Sequence, residues 1–92
     1  MPKVLEFGQY VLFFWVAEND EPVHVHVSIK RPAENATKFW LTASGGCILA
    51  NNNSGIAERD VRDIAKLIKF NHRYICERWV EVFGEDSLRF FC

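Results

Sequence analysis

The chain has no C-x-x-C pair among its three cysteines, a single methionine, three prolines, and no charge excess worth the name, with a formal balance of −1. Each shortage excludes something. An odd, scattered set of cysteines (Cys47, Cys76 and Cys92) argues against a disulfide framework and for reduced thiols in a bacterial-type cytoplasm. Without a charge surplus there is no global electrostatic pull toward nucleic acid or a membrane, so any charged patch must come from local arrangement. No apolar run approaches the roughly 20 residues needed to span a bilayer. The short apolar stretch after Met1-Pro2-Lys3 lacks the length and cleavage site of a signal peptide, so the start reads as mature protein. No Gly-rich phosphate loop and no nucleophile elbow are present, and Gly45-Gly46 reads as a turn.

What is there is apolar and aromatic. Of 92 residues, 49% are hydrophobic, with eight Phe and three Trp, enough large side chains for a short chain to bury a core. Lys3–Phe7, Tyr10–Val16, Val23–Lys30, Thr37–Thr42 and Cys47–Ala50 read as strands, the third by strict alternation. Polar turns separate them at 17–22 and 32–36. From about Glu58 to Phe83 the period becomes helical: Val61, Ile64, Ala65, Ile68, His72, Ile75, Trp79, Val82 and Phe83 form one stripe. Glu58 and Asp60 suit a helix start and Gly84 a stop. The expected fold is α+β: an antiparallel β-meander of four to five strands packed against one long C-terminal helix. Residues 1–84 make a single domain, and 85–92 an apolar tail.

Four groups of residues stand out. His24 and His26, at i and i+2 on a strand, project from one face. They could offer two ligands to a borderline metal such as zinc if a third arrives from elsewhere, or act as an acid/base pair. The plain alternative leaves Val23, Val25, Val27 and Ile29 inward and His24, His26, Ser28 and Lys30 in solvent. His72 falls about 20° from Val61 and Trp79 on the helical wheel, a core position where the default is a hydrogen-bonded histidine and the alternative a partner for the strand pair. Arg62, Lys66, Lys69 and Arg73 lie within about 60° of one another, a ridge that could meet phosphate or an acidic partner, though a solvated face is the plainer reading. Leu67, Phe70 and Tyr74 form a second apolar strip that needs a cover, supplied by the tail (Leu88, Phe90 and Phe91) folding back or by a second subunit, with Leu67, Phe70, Tyr74, Phe90 and Phe91 as the expected self-association residues.

These features resemble a small bacterial family, domain of unknown function 4160. The resemblance rests on Met1-Pro2 and the first strand, Phe13-Phe14 before an acidic turn, and Pro22-Val23-His24-Val25-His26-Val27. It extends through Lys38-Phe39-Trp40-Leu41 to the helix with His72 and Trp79, ending at Phe83-Gly84. The family pattern carries a second proline where this chain has Val23. The resemblance implies an accessory or regulatory protein of toxin–antitoxin-like or mobile-element settings. The expectation is a cytoplasmic binding module that acts through a protein partner and self-associates as a dimer, with no membrane role and no resident cofactor. The alternative is a small histidine- or metal-dependent hydrolase such as a ribonuclease, with His24, His26 and His72 catalytic and the basic ridge holding nucleic acid.

Overall fold

The computed structural model describes residues 2–15 and 20–92. Five strands appear in chain order: β1 (Lys3–Phe7), β2 (Tyr10–Phe13), β3 (His24–Ile29), β4 (Thr37–Leu41) and β5 (Cys47–Asn51). They pair antiparallel in sequence order, a simple meander. Two helices follow, α1 (Glu58–Phe70) and α2 (His72–Phe83), then a 3-10 turn at Glu85–Ser87. The fold is the expected α+β meander. The second strand stops at Phe13, short of the expected end; Val16, at that end, lies outside the described residues, as do Met1 and residues 17–19 of the acidic turn.

Register decides which side chains share a face. Leu12 pairs with Val27, and Val25 with Phe39, so these side chains join Tyr10 and Leu41 beneath the helices. Ile64 and Ile68 from α1 and Ile75 and Trp79 from α2 are buried in the same cluster. Each such side chain contributes about 1.5–3 kcal/mol when removed from water. On the opposite face Phe13 pairs with His26, Val11 with Ser28, and His24 with Trp40.

The plain alternative, with both histidines in solvent, is corrected here. From His24 to Ser28 strand β3 is buried on both faces, the histidines and the serine along with the valines, while Ile29, expected inward, is 41% exposed at the strand's end. Alternation within one strand reports two chemically different faces, not which is wet. Here the second face carries a small cluster of its own, Val11, Phe13 and Ala36 with Trp15 against it.

The single long helix is also corrected. At Asn71 the backbone turns to φ −107° and ψ 19°, and its N–H is shared between the Leu67 and Ile68 carbonyls. The Asn71 side-chain amide donates to the Leu67 carbonyl at 2.9 Å. Asparagine competes with the helical ladder in this way, which is why it is a poor interior residue. The Ile75 N–H then bonds the Asn71 carbonyl and the helix resumes.

The tail folds back on its own chain. The Val23 N–H donates to the Arg89 carbonyl at 2.7 Å and the Ala43 N–H to the Cys92 carbonyl at 2.9 Å. Leu88 and Phe90 pack against the main core. The Trp79 indole N–H reaches the Ser87 carbonyl at 3.2 Å, joining α2 to the start of the tail.

Candidate functional site

The chain before β3 sets the histidine pair. The chain bends at Glu21 and Val23 on entry to the strand, and the Pro22 carbonyl accepts a hydrogen bond from His24 Nδ1–H at 2.8 Å. That bond fixes the ring's tautomer and orientation. The His24 and His26 rings lie 5.0 Å apart, edge to face. Trp79 at 5.2 Å and Trp40 at 5.5 Å close on His24, while Phe13 at 5.6 Å and Trp15 at 6.2 Å close on His26. Lys38, opposite His26 in register, lays its ammonium 4.1 Å from the Trp40 ring centre and pairs with Glu21 at 2.5 Å. Phe91 stacks on Trp40 at 5.0 Å and 5°. The pair is thus walled by aromatic rings. Nearby Ser28 Oγ is buried with no hydrogen-bond partner among the described residues.

His72 has different company. Its Nε2–H donates to the Thr42 carbonyl at 2.7 Å, its Nδ1 faces the Cys76 thiol at 3.9 Å, and its ring stacks on Phe90 at 5.9 Å. It ties α2 to the end of β4 and to the tail. Among the described residues the partners of His72 are not those of His24, and no three His, Cys, Asp or Glu side chains gather as a metal set. Burial pushes the Cys76 thiol up to about 11, with Glu77 adding to it, and burial also raises Cys47. Neither is an activated nucleophile. A hydrogen bond to Asp60, at 2.5 Å, raises the Tyr10 phenol and fastens β2 to the start of α1.

The basic ridge and the second apolar strip share the outer side of the helices. Arg62 pairs with Glu58 at 3.2 Å and Arg73 with Glu77 at 3.5 Å, while Lys66 and Lys69 have no ion-pair partner among the described residues. The break at Asn71 separates Arg73 from the other three. Leu67 packs on the core, but Phe70 is 90% exposed and Tyr74 43% exposed. Of the aromatic tail pair, Phe90 lies against the core and Phe91 on Trp40, so neither covers Phe70. A groove of about 540 Å³ beside the β4–β5 turn is lined by Thr42, Ser44, Cys47, Lys69 and Cys92, among others.

Sequence reasoning missed Trp40, Trp79, Lys38 and Glu21 as neighbours of the histidine pair. For Trp40 and Lys38 the signal was available, since an antiparallel register of β3 with Lys38-Phe39-Trp40 puts the lysine and the tryptophan, not the phenylalanine, on the histidine side. Trp79 reaches His24 through tertiary packing, which no local spacing records, and Glu21 enters as the ion-pair partner of Lys38.

A small α+β meander with a doubly buried His-x-His strand defines the class of protein. The model of the family described as Domain of unknown function (DUF4160) matches residues 9–80, and the chain belongs to that family. No curated protein and no solved structure matches it.

Proposed function

We propose that the protein is a binding or regulatory accessory module that acts through protein–protein contact, with the junction of α1 and α2 as its contact face. The observation that carries this reading is Phe70, 90% exposed, with Tyr74 one turn on and half exposed. Monomeric proteins scatter single apolar side chains on their surfaces, but two aromatic rings on successive turns at a helix junction are the usual anchors of an interface. Leu88 and Phe90 of the tail pack on the chain's own core, and Phe91, still half exposed, stacks on Trp40, so none of them covers Phe70. The separate environments of His72 and the strand pair speak for histidines that hold the fold together rather than a converged catalytic set.

The setting we propose is a bacterial cytoplasm, consistent with three free thiols, and a toxin–antitoxin-like or mobile-element neighbourhood, as the family resemblance suggests. No helix of the described residues is long and apolar enough to cross a membrane. Self-association as a homodimer is part of the proposal. It is placed away from the Phe70 strip, whose excess of cations (Lys66, Lys69 and Arg73) a second copy would double.

The test is a Phe70→Ser/Tyr74→Ser variant at native expression level, with complex size read on native gels of cell extract and, for purified chain, by sedimentation. The expected result is loss of a larger species from extract with the purified chain unchanged in size. A species of the same size in both would count against the contact face. The hydrolase reading, for which the 5.0 Å histidine pair is the one supporting observation, would return if purified protein degraded single-stranded RNA and the His24→Ala/His26→Ala variant did not.

A further inference from the structure

Resting on the reading of the Phe70–Tyr74 strip as the contact face, we infer that its partner is an acidic protein segment with apolar anchors, of the amphipathic-helix kind, and neither a second copy of this chain nor a nucleic acid. Lys66 sits one helical turn before Phe70, and Lys69 immediately before it. Both are exposed and hold no carboxylate among the described residues. Arg73 stands beside Tyr74 with its side chain 93% exposed, loosely tied to Glu77 at 3.5 Å. The two aromatic rings are therefore bordered by three cations against the carboxylates of Asp63 and Glu77, and among the described residues the two lysines hold no ion pair.

A second copy fits this face badly. A two-fold contact puts the strip against a copy of itself and so doubles its excess of cations, Lys66, Lys69 and Arg73 against Asp63 and Glu77, where an acidic partner offsets it. Nucleic acid fits it poorly as well. Glu58 already holds Arg62 and Glu77 faces Arg73, so the ridge alternates in sign where a phosphate track needs a continuous run of cations. An acidic helix with apolar anchors matches what remains, two rings four residues apart across the turn at Asn71 and two ammonium groups with no ion pair among the described residues. Electrostatic complementarity of this sort sets partner choice and association rate more than raw affinity.

The test uses the full chain and three fluorescein-labelled probes read by anisotropy: an amphipathic Leu/Glu peptide about five turns of helix long, its Leu/Lys counterpart, and single-stranded oligothymidine. The variants are Lys66→Glu/Lys69→Glu and Phe70→Ser, all at exposed positions, with folding checked by thermal melting. The Leu/Glu peptide should bind and the Leu/Lys peptide should not. The double charge reversal should weaken the first by about tenfold, the effect of turning two exposed attractions into repulsions, and should admit the second. Phe70→Ser should abolish binding of the Leu/Glu peptide. Equal binding of both peptides, lost in Phe70→Ser, would overturn the acidic specification and leave the contact face standing. Binding of neither peptide would overturn both. Oligothymidine binding that the charge reversal removes would overturn the inference in favour of nucleic acid.

Discussion

Ile68 and Phe70 are two residues apart on the same helix and should respond to truncation in opposite ways. Ile68 is wholly buried among Ile64, Ile75 and Trp79, whereas Phe70 projects into solvent. Ile68→Ala removes three carbon groups, about 0.8 kcal/mol each by transfer alone, plus the cost of the cavity left behind. The sum is roughly 2–5 kcal/mol, a drop of more than about 10 °C in Tm for a chain this size. Phe70→Ala gives up little burial and gains slightly in helix propensity, so its effect should stay within about 0.5 kcal/mol. Urea unfolding of the purified chain, followed by tryptophan fluorescence, measures both, and an unchanged m-value would show that the unfolded state is the same. A loss above about 1 kcal/mol in Phe70→Ala would refute the reasoning. It would mean that the ring is covered in the free protein, and concentration dependence of that loss would assign the cover to a second copy.

Three further outcomes follow from the buried groups and the thiols. Trp79→Phe keeps much of the ring packing on Phe14 and Phe83 but strands the Ser87 carbonyl, so it should cost about 1–3 kcal/mol and raise hydrogen exchange at the start of the tail. The Cys76 thiol, held at about 11 against 9.0 in the unfolded chain, keeps its proton more tightly when folded. Its contribution is therefore full below pH 9 and declines as pH rises toward 11, and the fall of Tm over that range should be shallower in Cys76→Val. At pH 8 iodoacetamide should reach exposed Cys92 well before Cys76.

Much of the fold was legible in the chain. Strands β1 and β3 to β5 fall where alternation and β-branched residues put them, to within a residue or two at each end, and Gly45-Gly46 does turn the last hairpin. The helix break was hidden because Asn71 sits inside an apolar stripe that runs on through it. Periodicity counts apolar faces, and a side-chain amide that captures the Leu67 carbonyl leaves that count unchanged. Burial of His24 and His26 was hidden for a different reason. Alternation marks them as one face of β3, but the rings that cover them come from Phe13, Trp15, Trp40 and Trp79, elsewhere in the chain. The exposed aromatic strip was half visible: Leu67, Phe70 and Tyr74 stood off the main stripe, but only the path of the tail shows that Leu67 is covered and Phe70 is not.

The contact face at the helix junction is tested most directly by placing a photoreactive phenylalanine analogue at position 70 in the living host, with the same analogue at exposed Arg59 as control. A discrete adduct of one protein from position 70, absent from position 59 and lost when Lys66 and Lys69 are reversed to glutamate, is the expected result. Identical labelling from the two positions, or none from position 70, would contradict it.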